Sequence, residues 1–292
     1  MRKIISAKEM SRIENESFKE GCSAESFMEN AGKSIAEYIE EINSSKKSIL
    51  LLCGKGNNSG DALVVGRVLL SKGFSVSTVG VFEASSGSLL FKKKYKEFIG
   101  VGGVFTSINS LNDIKISDSS IIVDGIFGTG FKGEIPPFLQ EFFSYINKLK
   151  SFRIAIDIPS GINGSDGSVC REPFKADTTV CLGVYKTGFF SVKAWNYVGD
   201  IHLVDFGLSS LFLERAREDF LLVAEKEAAS FFPEINRSRH KYETGYLLGF
   251  CGSSSMIGAS TMAGLASLRS GCGITRIVLS PGTLLTSSSL EI

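Results

Sequence analysis

The sequence predicts an α/β protein in which a mainly parallel sheet is covered by helices on both sides. Three observations predict it. The runs at 48–53, 121–124 and 153–157 are short and apolar without polar interruption until their ends, as strands buried on both faces require. Stretches of helical period separate these runs. The segments just past them carry Gly, Asn and Asp, and open parallel sheets bind their ligands outside the carboxyl ends of the strands.

The elements follow in order. Ser6 and Glu9 fit a capping box ahead of Met10 and Ile13 and open a first helix. A second helix is predicted over 25–42, where Phe27, Met28, Ala31, Ile35, Tyr38, Ile39 and Ile42 form one stripe. Then come a strand at 48–53, a helix at 61–72, a strand at 74–81 and a helix at 89–99. A strand at 121–124, a helix at 138–149 and a strand at 153–157 continue the alternation, with further strands at 178–182 and 200–204. Residues 209–239 mix charged and apolar groups and read as a connector with short helices. A strand running from Gly245 into a Gly/Ser loop, a small-residue helix at 259–270 and a strand at 273–280 close the chain.

Composition bounds the function. The 292 residues carry 32 basic and 31 acidic side chains, which argues against a nucleic-acid surface. No stretch approaches the roughly 18 apolar residues of a membrane span. The N-terminus has no apolar segment of a secretory signal, so a cytoplasmic location is expected. Six cysteines without a C-x-x-C pair read as small buried thiols in a reducing compartment. Two histidines and no ligand spacing argue against zinc.

Three loops carry the chemistry. The first is Gly54-Lys55-Gly56-Asn57-Asn58-Ser59-Gly60-Asp61, between a strand and a helix. Its glycines permit close backbone approach, and the helix start offers N–H groups to an anion. An Asn/Gly turn capped by Asp61 is the plainer reading of the same residues. The second loop begins at Asp124, an acid ending an apolar strand, and runs through Gly128-Thr129-Gly130-Phe131-Lys132-Gly133. Burial of that acid is costly unless it is paired or metal-bound. The third is Asp157-Ile158-Pro159-Ser160-Gly161, where Ser160 stands outside a G-x-S-x-G elbow. Together the loops point to one site for a phosphorylated ligand, with oxygen ligands suited to a hard cation. Lys132 and Lys186 are phosphate partners or, on the plainer reading, solvated surface lysines.

Met28-Glu29-Asn30-Ala31-Gly32, the GKGNNSGD, DGIFGTGFKG and DIPSG loops, and Ala176-Asp177 before TVCLGVYKTG resemble, in order, the NAD(P)H-hydrate epimerase family. The resemblance covers roughly residues 1–210. It implies a Rossmann-like three-layer α/β/α fold and an isomerase that interconverts the R and S forms of hydrated NADH and NADPH, which carry a hydroxyl at nicotinamide C6. It implies further that Asn57, Asn58, Ser59, Gly60 and Asp61, with Gly128, Thr129, Gly130, Phe131, Lys132, Gly133 and Glu134, bind the hydrated nucleotide. Asp157 would also contact it, while Asn58, Asp124 and Ser160 would hold a potassium ion. The chemistry itself needs one group to pass a proton to and from the C6 oxygen, which suits a partly buried carboxylate, and Asp157 is the candidate catalytic residue. The chain departs from the family at Ser59 and Ala62, where Gly is usual.

Residues 240–292 resemble the opening of the ribokinase-like, ADP-dependent NAD(P)H-hydrate dehydratase. The expected organisation is an epimerase domain over 1–210, a connector over 211–239 and an incomplete α/β dehydratase fragment over 240–292. That fragment is expected to be inactive, with ADP or ATP a cofactor only of a complete domain. Two other readings stay open: a nucleotide-dependent oxidoreductase using the Gly54 loop and Glu83 as a ribose carboxylate, and a non-enzymatic nucleotide-binding module. No nucleic-acid or membrane partner is expected, and a homodimer is entertained.

Overall fold

The computed structural model describes residues 2–43, 45, 48–108, 110, 121–253 and 255–281. It divides into two compact units, Met1–Ala224 and Glu225–Ile292.

The first unit opens with β1 (Arg2–Ile5), α1 (Ala7–Lys19) and α2 (Ala24–Ile42). Next come β2 (Ile49–Cys53), α3 (Asn57–Ser71), β3 (Val76–Gly80), α4 (Leu89–Gly100) and β4 (Phe105–Ser107). The second half holds β5 (Ile121–Gly125), α5 (Pro137–Ile146), β6 (Phe152–Ile156), β7 (Thr178–Leu182) and β8 (Tyr185–Lys186). It ends with α6 (Trp195–Val198), β9 (Asp200–Val204), α7 (Ser210–Arg215) and β10 (Phe220–Leu222).

Seven strands form one parallel sheet in the order β4-β3-β2-β5-β6-β7-β9. The strand β2 shows why both faces are covered. Leu51 packs with Ile35, Leu63 and Phe98 from α2, α3 and α4, whereas Leu50 and Leu52 pack with Leu139, Phe142 and Phe143 from α5. This is the three-layer α/β/α architecture that the uninterrupted apolar runs predict. The chain leaves β2 toward β3 and β4 on one side and returns to β5 on the other. The switch point between β2 and β5, in register at Leu52↔Asp124, is where such sheets bind ligands.

Two local expectations change. The helix predicted from residue 61 begins at Asn57, with Gly56 as N-cap, so the glycine loop is only Gly54 to Gly56 and Asp61 lies in the second turn of α3. The capping box is half made. Ser6 Oγ accepts from Glu9 N at 3.1 Å, but the Glu9 carboxylate pairs with Arg12 and accepts from Arg217 N at 2.7 Å.

A smaller sheet, β10-β1-β8, pairs β1 antiparallel with β10 and parallel with β8. Thus β10, inside the stretch read as connector, is a working part of the first unit.

The second unit holds α8 (Glu225–Ala229), β11 (Tyr246–Phe250), α9 (Ile257–Arg269) and β12 (Ile274–Val278). Its two strands pair in parallel across the intervening helix. Among the described residues, no helix is long and apolar enough to cross a membrane.

Candidate active site

A cleft of about 910 Å³ opens where the loops after β2, β5 and β6 meet α1 and α2. Its floor depends on close backbone approach. A Cβ on Gly54 would lie 2.5 Å from the carbonyl oxygen of Ile126, and one on Gly125 would lie 2.7 Å from Ala62 Cβ. Alanine at 62 therefore fits because residue 125 is glycine. Ser59, fully buried, accepts from Gly54 N at 2.7 Å and donates to Gly125 O at 2.7 Å. The hydroxyl at this usual glycine position ties the end of β2 to the end of β5.

Asp124 is wholly buried at the end of β5. Its Oδ2 accepts from Ser160 N at 2.7 Å, and its Oδ1 accepts from Ser160 Oγ at 2.7 Å and Ile126 N at 3.1 Å. Burial pushes its carboxyl up to about 6, against the pull of these hydrogen bonds. Phe127 joins the neighbours. Its N–H donates to Ser160 Oγ at 2.9 Å, while its carbonyl accepts from Asn58 Nδ2 at 2.7 Å. Asn58 also donates to Ile156 O at 3.3 Å. Asn58 from the first turn of α3, Asp124 from the end of β5 and Ser160 from the loop after β6 are thus brought together.

Asp157 ends β6 with φ of 62°, a left-handed backbone rare outside glycine but tolerated by Asp. Ile158 N donates to Ile156 O at 2.7 Å, closing a γ-turn around Asp157. Strain of this kind collects at functional sites and is held by surrounding structure. Here the holding group is Lys186, fully buried, whose Nζ pairs with Asp157 Oδ1 and donates to Leu182 O at 2.8 Å. Leu182 N donates to the same Oδ1 at 3.1 Å. Burial works against the ammonium of Lys186, but the charge of Asp157 outweighs it and holds it above the ordinary lysine range. The sequence reading of Lys186 as a surface or phosphate-binding lysine is corrected: β8 pairs with β1 and turns the side chain under Asp157.

Two further carboxyls line the cleft. Asp61, 8% exposed, is raised well above its ordinary value by burial and then by the charges of Asp157 and Glu14. Glu14, half-buried on α1, is raised to about 7 by burial and by Asp157, with Lys186 opposing. One carboxylate locked to a lysine beside two that resist ionisation can hold and pass a proton near neutral pH.

Asn57, Asn58, Asp61, Gly128, Thr129, Gly130, Phe131, Lys132, Glu134 and Asp157 line the cleft. Asp124 and Ser160 lie buried beneath it. Ser59 is enclosed, and Gly60 packs against Met28, whose Cε would stand 2.5 Å from a Cβ there. Gly133 supplies a left-handed turn, φ 83°, between Lys132 and Glu134. Glu83 is exposed at the cap of a short 3-10 turn, Ala84–Ser86. Sequence reasoning missed Glu14 and Lys55. Lys55 is exposed at the cleft with its ammonium 5.1 Å from the Phe82 ring centroid. Glu14 had a legible signal, since it follows Ile13 and precedes Ser17 by three on the buried face of α1.

A doubly wound parallel sheet with a carboxylate-lined cleft at its switch point makes this a Rossmann-like α/β protein with an enzyme's site. Its family is equally plain. The chain belongs to the family described as YjeF-related protein N-terminus, whose model matches residues 24–188, more than half of the chain. It is 33% identical over 221 residues to an NAD(P)H-hydrate epimerase of Elusimicrobium minutum, covering 73% of this chain and 99% of that protein. It is 30% identical over 287 residues to a bifunctional NAD(P)H-hydrate repair enzyme Nnr of Dictyoglomus turgidum, covering 95% of this chain and 54% of that one. The chain spans about half the length of the bifunctional relatives it matches. The crystal structure of a yeast protein, ynu0, superposes with a TM-score of 0.62 at 19% identity, covering 77% of this chain and 98% of that one, and shares the fold. The family resemblance carried by the loop motifs is borne out.

Proposed function

We propose that the first unit is an NAD(P)H-hydrate epimerase, exchanging the R and S forms of NADH and NADPH hydrated at nicotinamide C6. The observation that carries the reading is Asp157, held at positive φ by buried Lys186 in a cleft with two other proton-binding carboxyls. The C6 hydroxyl adjoins the ring nitrogen, whose lone pair helps expel it and leaves a planar iminium. Water then adds from the other face. Each step moves a proton at oxygen, the work of a positioned carboxyl. The uncapped N-terminus of α3 and the Gly128–Gly130 turn would receive the pyrophosphate, with Asn57, Asn58, Asp61, Phe131, Lys132, Glu134 and Asp157 as further contacts. Ser59, Gly60 and Gly133 would then shape the loops that make those contacts.

A potassium ion fits the chemistry of the residues below the cleft. Asp124 is a fully buried carboxylate with no ion pair among the described residues, and Asn58 and Ser160 beside it offer neutral oxygen. Among the described residues, no group of three or more His, Cys, Asp or Glu could hold a metal, so the donor set has one formal charge. Bound there, the cation would supply charge balance to Asp124 and fix the three loops together.

The test is incubation of a pure R epimer with the protein and potassium, followed by chromatography for the S epimer. Exchange well above the buffer rate is expected. An Asp157→Asn variant, whose amide tolerates the same backbone, is expected to lose about 10²–10⁴-fold in rate. Wild-type exchange no faster than buffer overturns the reading. A crystal grown in potassium should carry an ion at Asn58, Asp124 and Ser160.

A further inference from the structure

We propose that Asp61 is a second catalytic residue: it hands its proton to the C6 hydroxyl as that group leaves, and Asp157 takes a proton from the water that adds back. This rests on the epimerase reading above.

The inference starts from what Asp61 lacks. It lies in the second turn of α3, is 8% exposed, and lines the cleft. Among the described residues, no group hydrogen-bonds or ion-pairs with its carboxyl; only the charges of Asp157 and Glu14 reach it, both unfavourable. Its oxygens open to the cleft and not to a protein partner, and an acid so enclosed is costly to ionise. Asp is also a poor residue for a helix interior. The site opposes ionisation of Asp61 by burial first and by two like charges second. Asp157, by contrast, has partners: the Lys186 ammonium and the Leu182 N–H both meet its Oδ1. Two carboxyls in one cleft with opposite surroundings take opposite roles, one donor and one acceptor of protons.

The step balances. The C6–O bond breaks with its electron pair on oxygen, the proton of Asp61 completes a water, and the ring nitrogen lone pair forms the C=N bond. Addition of water to C6 returns that pair to nitrogen and leaves a proton on Asp157. After one turnover Asp61 is ionised and Asp157 protonated. Glu14, which faces the same cleft from α1 and titrates near neutrality, returns the proton through water. The charged groups facing Asp61 are thus Glu14 from α1, Asp157 from the loop after β6 and Lys186 behind it.

The experiment compares the full-length wild type with Asp61→Asn, starting from pure S epimer in potassium buffer. The variant is expected to lose about 10²–10⁴-fold in kcat, while calorimetric binding of the hydrated cofactor stays within several-fold. The wild-type kcat is expected to fall on the alkaline side, because the donor must be protonated, and that limb should be missing from the residual activity of Asp61→Asn. A variant within a few-fold of an active wild type, or one that keeps the alkaline limb, overturns the proposal. Should the variant fail to fold by circular dichroism, the wild-type profile decides, and a flat alkaline side overturns it. An inactive wild type would instead sink the epimerase reading itself.

Discussion

Lys186 and Asp157 form a buried ion pair, open to the cleft on the Asp157 side, on a turn that glycine would adopt more readily. Removing one partner of such a pair strands a charge, which typically costs about 3–5 kcal/mol. Lys186→Met is therefore expected to lose about that much stability in urea denaturation, and exchange activity with it. Glu14 gives a pH-dependent counterpart. Its folded carboxyl titrates near 7, above the unfolded value of 4.5, so the folded state binds the extra proton between those values. Stability falls as pH rises through that window. Glu14→Gln removes this group's share of the fall, Asp61 and Asp124 keeping theirs: its melting temperature is expected to match wild type at acid pH and to exceed it by a few °C above neutrality, about 1 kcal/mol corresponding to 2–4 °C at this size. Asp124 and Asp157 were legible in the sequence because each is an acid closing an apolar strand. Lys186 was not, since nothing in a lysine after a Gly-Val-Tyr turn says that β1 will cover it.

At the scale of elements, three helices on one face of the sheet are fastened by charge. Lys94 of α4, 2% exposed, pairs with Glu25 at 2.8 Å and Glu29 at 2.7 Å on α2, and with Glu97 at 3.1 Å on its own helix. Arg67 of α3 reaches Glu29 at 2.5 Å. Burial opposes the Lys94 charge, but the carboxylates outweigh it and hold the ammonium above its ordinary range. Lys94→Ala removes the cation shared by three acids and leaves them Arg67 and the more exposed Lys93. Because the acids are half-exposed, the expected loss is about 1–3 kcal/mol, read from chemical denaturation, and it should shrink in high salt. The long helices and the strands β2, β5 and β6 were legible because apolar positions recur at helical period in the helices and run together in the strands. The pieces missed, β1, β4, β8 and β10, are two to four residues long, too short for a period to register. The start of α3 was misplaced because Asn, Ser and Gly suit a turn as well as a helix entry; the Ser59 bridge between β2 and β5 is a tertiary bond no local pattern announces.

At the scale of the whole molecule, the buried apolar clusters among the described residues all lie in the first unit. The cleft residues all belong to Met1–Ala224. In the second unit, residues 231–243 are exposed throughout, and Tyr246, Leu247, Leu248 and Phe250 of β11 remain uncovered. A two-stranded sheet with one helix is marginal in water. Limited proteolysis is therefore expected to cut first within 231–243. It should leave a fragment that retains the epimerase activity proposed here, measured by the same chromatography. A fragment stable to protease but inactive would show that the second unit contributes to the reaction. The same chain supplied with S epimer and ADP or ATP is expected to give no sustained rise in NADH absorbance.

The little sheet β10-β1-β8 has a consequence for the order of synthesis. Residues 2–5 are made long before their two neighbours, 185–186 and 220–222. At about 5–20 residues per second, these partners follow only after some 10–40 s. For that interval Ile4 and Ile5, buried in the finished protein, have nowhere to go. The strand that seats Lys186 beneath Asp157 is thus made well before the partners that place it. The Asp157–Lys186 pair is assembled only when β8 has emerged to meet β1, so a chain stalled short of Tyr185 holds the loops of the cleft without the lysine that clamps Asp157.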